Sequence, residues 1–270
     1  MGKQVKVVVL AKQVPDTRNV GKDAMKADGT VNRAALPAIF NPEDLNALEQ
    51  ALTIKDMCEG STVYILTMGP LRAADIIRDA MFRGADGGYL LTDRAFAGAD
   101  TLATSYALSR ALAEIKPDII VAGRQAIDGD TAQVGPQLAE KLHLPQVTYA
   151  ADIQKGGDTI TIKRMLEDGY MTIKVNTPCL ITCIKELNTP RYMSVGGIFE
   201  CYEKPYEILD YNALKDDPLI DPATIGLKGS PTNILTSFTP PQKGAGMMLE
   251  GADKETCEKL AGILAAKHLI

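Results

Sequence analysis

The 270-residue chain has no tryptophan, two histidines and five cysteines, and aromatic residues make up only 5% of it. Each shortage removes a class of function. With only His143 and His268 available, neither a His-based metal site nor a Ser-His-Asp triad is expected. Cys58, Cys179, Cys183, Cys201 and Cys257 form no CxxC pair and read as reduced core thiols. Scarce aromatics and a net charge of −5 argue against a nucleic-acid surface, which needs a basic patch and a stacking platform. No run of about 18 apolar residues occurs, so no membrane span is expected. The N-terminal stretch lacks a signal-peptide pattern, which makes the cytoplasm or an organelle matrix the expected location. Neither GxxxxGK[ST] nor GxGxxG is present, so neither a P-loop nor a standard dinucleotide fingerprint is supported.

What is there is an ordinary globular balance, 46% hydrophobic and 23% charged, with enough length for a full core. Val5 to Ala11 is an apolar strand run that ends at Val14-Pro15-Asp16. Asp28-Gly29 reads as a tight hairpin turn. Asn41-Pro42-Glu43-Asp44 is a helix start, with Leu45, Leu48 and Leu52 as the stripe that follows. Ser61 to Thr67 is the next strand, closed by Met68-Gly69-Pro70, and Leu71 to Arg83 reads as a helix. Gly87 to Leu91 is a strand; Ala99 to Glu114 is a helix with Leu102, Tyr106 and Leu112 apolar. This alternation predicts an α/β fold with a doubly wound, mainly parallel, Rossmann-like sheet.

The stretch from Pro117 to Leu142 carries the candidate site. Asp118 to Ala122 reads as a buried strand, Gly123 breaks it, and a polar loop follows. Thr131 is the expected N-cap of a helix running to about Leu142. Free N–H groups at such a helix start can hold a phosphate without a lysine. Arg124 is the cation of the loop and could neutralise a diphosphate. Asp128 and Asp130 suit ribose hydroxyls or loop N–H groups. An ordinary βα loop whose aspartates cap the backbone would have the same spacing.

Beyond Pro145 the pattern becomes four strands, Gln146 to Ile153, Asp158 to Leu166, Tyr170 to Val175 and Cys179 to Ile184, read as an antiparallel meander at one edge of the sheet. Gly156-Gly157 and Asp168-Gly169 are the turns. From Ser194 the periodicity fades. Pro205, Pro218, Pro222, Pro231 and Pro240-Pro241 punctuate an extended arm, and Asp253 to His268 closes it as an amphipathic helix with Cys257, Leu260, Ile263 and Leu264 on one face. The expected division is a nucleotide-binding domain, 1–193, and an arm, 194–270.

The stretches Ile162-Lys163-Arg164, Glu167-Asp168-Gly169-Tyr170 and Pro178 to Cys183 resemble the signature of electron transfer flavoprotein β subunits. Asn41-Pro42, Met68-Gly69-Pro70, Gly123 to Asp128 and Leu187 to Tyr192 fall in the family's order. The resemblance implies a heterodimer with an FAD-carrying α subunit, and a nucleotide in this chain. That nucleotide is AMP in simple electron carriers, or FAD reduced by NADH in the electron-bifurcating kind. Asp128-Gly129-Asp130-Thr131-Ala132-Gln133-Val134-Gly135 and Val14-Pro15-Asp16 resemble the bifurcating kind. The expected nucleotide rim is therefore Leu10, Ala11, Val14, Asp16, Asn41, Asp44, Met68, Gly123, Arg124, Gln125 and Asp128 to Val134, with N–H groups of Thr131 to Val134 on the phosphates. The family's recognition loop falls at Met193 and Val195, implying docking to an acyl-CoA-type or other flavin dehydrogenase. Ferredoxin or flavodoxin is the implied low-potential acceptor. Two other classes share the α/β pattern: a universal-stress-type regulatory module, which leaves the arm unexplained, and an adenylylating enzyme, whose glycine-rich phosphate loop this sequence lacks.

Overall fold

A computed structural model of the chain describes residues 4–16, 37–217, 220–232, 244 and 246–270. The Asp28-Gly29 turn lies outside the described residues, as do Pro218, Pro240 and Pro241 of the arm. The elements in chain order are β1 (Lys6–Leu10), β2 (Gln13–Pro15), β3 (Ala38–Phe40), α1 (Pro42–Met57), β4 (Thr62–Met68), α2 (Ala74–Arg83), β5 (Gly87–Leu91), α3 (Thr101–Ile115), β6 (Ile119–Gly123), α4 (Val134–Lys141), β7 (Gln146–Gly156), β8 (Thr159–Leu166), β9 (Gly169–Asn176), β10 (Cys179–Cys183), α5 (Val195–Glu200), β11 (Tyr206–Leu209), α6 (Tyr211–Leu214) and α7 (Lys254–Ala266).

Nine strands form one sheet in the order β11-β5-β4-β1-β6-β10-β7-β8-β9. Pairing is parallel from β11 to β7 and antiparallel from β7 to β9. The two faces of β1 show why its residues are almost all apolar. Val7 and Val9 pack with Leu48, Leu52, Ile77 and Met81 of α1 and α2. Val8 and Leu10 pack with Leu108, Leu112 and Leu138 of α3 and α4. A strand covered on both sides needs no polar alternation. After β1 the chain winds outward through β4 to β5, then returns to place β6 on the other side of β1. The crevice between β1 and β6 is thus the point where the winding reverses, the place where such sheets take ligands.

Three expectations change. Cys179 to Cys183 is not part of the antiparallel meander: β10 lies between β6 and β7, parallel to both, with every residue buried. Its run CLITC is apolar enough for a central strand, and the tail of alternating residues that suggested an edge belongs to β8 and β9. Leu102 is 42% exposed, and the buried face of α3 is instead Ala103, Ala107, Leu108, Ala111 and Leu112. Beyond Ser194, where the sequence offered no strand, β11 adds a parallel edge strand beside β5. The final helix is present; Asp253 caps it by accepting from Thr256 N–H at 2.8 Å, and none of its residues is buried.

These assignments separate two leucines that look alike in the sequence. Leu52→Ala, at a position 1% exposed, should cost about 2–5 kcal/mol of unfolding free energy. Leu102→Ala should change it by no more than about 0.5 kcal/mol. Urea unfolding of the two variants measures both, and equal losses would contradict the assigned faces.

Candidate nucleotide site

The crevice is assembled from the start of α1. Asp44 is 6% exposed and lies between the two strands at the reversal point. Its Oδ2 accepts from the Lys12 N–H just beyond β1 at 2.8 Å, and its Oδ1 accepts from the Gly123 N–H at the end of β6 at 3.1 Å. Burial pushes the carboxyl up to about 7, against the pull of those two N–H donors. The helix comes so close that a side-chain carbon on Gly123 would lie 2.8 Å from the Glu43 carbonyl carbon and 2.9 Å from Asp44 N. Only glycine permits that approach.

Asn41 occupies the helix start as expected, but its side chain makes no capping bond to α1. It is spent on the β6–α4 loop instead: Nδ2 donates to the Gln125 carbonyl at 2.9 Å, and Oδ1 accepts from Ile127 N–H at 3.1 Å. Glu43 accepts from Gln125 N–H at 3.1 Å and pairs with Arg124 at 2.9 Å. The Arg124 guanidinium lies 5.8 Å from the centre of the Tyr149 ring. Arg124 is thus paired with Glu43 through Nη2, while its buried Nε has no hydrogen-bond partner among the described residues. Asp128 is likewise engaged, with both oxygens on Lys12 Nζ at 2.7 and 2.8 Å. Asp130 accepts from Gln125 Nε2 at 2.9 Å.

The expected N-cap at Thr131 is corrected. Helix α4 begins at Val134, and no side chain caps it. Asp130 and Ala132 hold φ of 48° and 52°, left-handed values that cannot continue a helix upstream. Gln133 returns to the right-handed region. Alternation of this kind turns successive N–H groups toward one concave side, an arrangement that binds anions. Among the described residues, the N–H groups of Thr131, Ala132 and Gln133 donate to no protein acceptor. Those of Val134 and Gly135 at the start of α4 have no helical partner either, whereas Pro136 carries no N–H and Gln137 N–H donates to the Gln133 carbonyl at 3.0 Å.

Beside the crevice lies a cleft of about 160 Å³, walled by Lys12, Val14, Pro15, Met68, Pro70, Arg72 and Asp128. Leu10 and Ala11 are each 7% exposed below it. Val14, on the strand β2 that pairs with β3, is fully buried, and Asp16 just after that strand is nearly so. The structure thus brings the ends of β1, β4 and β6 together with Asn41 and Asp44. Glu43 and Arg72 stand on this rim without having been singled out in the sequence; Lys12 lies in the loop after β1 that the sequence offers as a second wall, and its pairing with Asp128 is what the structure adds. Met193 and Val195 stand elsewhere, at the entry to α5; Val195 is 74% exposed, in a patch with Tyr192, Phe199 and Tyr202. Among the described residues, no helix is long and apolar enough to cross a membrane.

Comparison with known proteins identifies relatives of this arrangement. Residues 28–204 match the electron transfer flavoprotein domain. The acryloyl-CoA reductase electron transfer subunit gamma of Anaerotignum propionicum is 57% identical over 270 residues, covering 98% of this chain and 100% of that protein. The caffeyl-CoA reductase-Etf complex subunit CarD of Acetobacterium woodii is 48% identical over 268 residues, at 98% and 100% coverage. The electron transfer flavoprotein subunit beta of Thermoanaerobacterium thermosaccharolyticum is 49% identical over 264 residues, at 98% and 99%.

Asp44 gives the crevice a pH signature. A carboxyl raised to about 7 keeps in the folded state a proton that the unfolded chain releases near pH 4. The stability it contributes is full below about pH 4 and is lost as pH rises through about 7, on the order of 4 kcal/mol in all. Relative to the non-titrating Asp44→Asn variant, the wild type should therefore lose unfolding free energy between these limits and stay level above them. Urea unfolding of both proteins at each pH reads the difference; a constant gap would show that Asp44 is ionised throughout.

Proposed function

The chain belongs to the electron transfer flavoprotein family as a β subunit, and on that premise we propose that it binds FAD at the β1–β6 crevice and works in flavin-based electron bifurcation. In this reading NADH is the donor, and the α subunit of a heterodimer, with its own FAD, receives electrons for an acyl-CoA-type dehydrogenase and a low-potential acceptor such as ferredoxin or flavodoxin. Bound FAD would supply the redox chemistry, accepting a hydride and passing electrons on singly.

The observation that carries the reading is the unpartnered arc of N–H groups from Thr131 into α4, at the reversal point of the sheet. It fits a diphosphate: donors already aimed, helix dipole behind them, and no lysine needed. The choice of FAD over AMP is supported by two further features. Val134 opens α4 with an apolar side chain, so nothing there marks the phosphate as the end of the ligand. The cleft walled by Val14, Pro15, Met68 and Pro70 lies beside the crevice and gives a longer ligand an apolar wall to extend along. Lys12 and Arg124 sit in existing ion pairs with Asp128 and Glu43. In the proposal they shape the rim and keep it near neutral, while backbone groups bind the anion. Asp128 is poised to exchange Lys12 for a ribose hydroxyl.

The partners are proposed on similar grounds. Two of the relatives are named for acryloyl-CoA and caffeyl-CoA reductase, which supports a dehydrogenase of that chemistry. The exposed face of Met193, Val195 and Phe199 is the proposed contact for it. The exposed helix α7, with Leu260 46% exposed, is the proposed contact for the α subunit.

Anaerobic addition of NADH to the purified heterodimer tests the cofactor. Bleaching of two flavins per heterodimer is expected, with no AMP released on denaturation. One flavin, one AMP and no reduction by NADH would return the chain to the simple carriers.

A further inference from the structure

We infer that Arg191 is a positioning residue that fixes the partner-docking segment, Tyr192 to Glu200, against α1 and α2; the inference rests on the docking reading above. The chain reaches this segment along one face of α1. Asn46 Nδ2 donates to the Asn188 carbonyl at 2.8 Å, and Asn188 Nδ2 donates to the Asn46 carbonyl at 3.0 Å. One turn further on, the Glu49 carboxylate receives three bonds from Arg191: backbone N–H and Nε at 2.9 Å each on Oε2, and Nη2 at 3.0 Å on Oε1. The same Nη2 donates to Asp56 at 2.9 Å. Asn46, Glu49 and Asp56 are spaced so that they share a helix face. From the other side, Arg83 at the end of α2 donates to the Arg191 carbonyl and is itself paired with Asp79. Arg191 thus ties both helices to one point of the chain.

Only Tyr192 and Met193 lie between this clamp and the next anchor. Ser194 N–H donates to the Phe82 carbonyl at 3.0 Å, and its hydroxyl caps α5 by accepting from Gly197 N–H at 2.9 Å. A side-chain carbon on Gly197 would lie 3.0 Å from the Phe82 carbonyl carbon, so α5 rests directly on the α2 backbone there. What the anchors present is apolar and open: Tyr192 is 93% exposed, and Val195 and Phe199 74% each. Val195 and Phe199 are one helical turn apart and share a face. Side chains this exposed have no packing to hold them, so their position is set by the backbone fixed on either side. A guanidinium suits the task because its planar fork meets both carboxylate oxygens; a lysine ammonium is a point charge and cannot replace it.

The test is steady-state electron transfer from the nucleotide-loaded heterodimer to a flavin dehydrogenase of the acyl-CoA type. Arg191→Ala should raise the apparent KM for the dehydrogenase about tenfold, the scale of re-ordering a freed segment on binding. Arg191→Lys should not restore it. Turnover at saturating dehydrogenase and nucleotide content should be unchanged. A fall in turnover or nucleotide content with KM unchanged would mean a merely structural role and would overturn the inference. Val195→Asp separates the two layers. If it leaves KM unchanged, the docking reading itself fails; if it raises KM while Arg191→Ala does not, docking stands and the role of Arg191 falls. Should Arg191→Ala not fold, Glu49→Gln, which keeps the shape and weakens the fork, should raise KM in the same direction. An unchanged KM in that variant overturns the proposal.

Discussion

The Asp44 carboxylate, lodged between the ends of β1 and β6, is the contact on which the crevice depends. Those strands are neighbours in space and more than a hundred residues apart in sequence, and their pairing alone leaves the two rim loops free to diverge. Asp44 joins them through the N–H groups of Lys12 and Gly123. Taking a carboxylate out of water costs several kcal/mol. Two N–H bonds to a charged acceptor return about 1.5–3 kcal/mol each. Burial outweighs those bonds, and that excess is the physical reason that its protonation falls near neutrality. Gly123 follows from the same constraint, because any side chain there would displace the helix that delivers the carboxylate.

From that point α1 organises the molecule in two directions. Asn41 just before it, and Glu43 and Asp44 in its first turn, bond to the end of β6 and the β6–α4 loop, so the loop that bends into its N–H arc is held by another element as well as by its own bonds. Its flank supplies Asn46, Glu49 and Asp56 to the strand of chain that leads into α5. One helix thus sets the position of both the nucleotide rim and the exposed apolar patch. The opposite face of α1, with Leu48, Leu52 and Ile54, is buried in the sheet. That burial is what makes it rigid enough to act as a reference for the two surfaces.

The cations illustrate how far charge alone can be read. Arg124 stands in the loop and invites a phosphate, yet Glu43, on a different element, already holds it. Lys12 stands in the loop after β1 and pairs with Asp128 of the β6–α4 loop. Both pairings place each of these cations against a carboxylate, so neither stands as an isolated charge on the rim.

The sequence by itself determined the layering and the mainly parallel, doubly wound sheet. Apolar runs such as Val5–Ala11 and Gly87–Leu91, and stripes such as Leu48 and Leu52, are local patterns, and local patterns fix which residues face a core. The rule that ligands bind where the winding reverses then located the crevice at Gly123 without any motif. Tertiary structure decided the rest. It put β10 between β6 and β7, because a short apolar strand carries no mark of its neighbours. It moved the start of α4 from Thr131 to Val134, because the backbone is left-handed at Asp130 and Ala132 and cannot continue the helix through them. It chose the partners of Lys12, Arg124, Asp44 and Arg191. Each of those pairings joins side chains brought together by the sheet and α1 from distant parts of the chain, and no periodicity within a segment encodes a contact between segments.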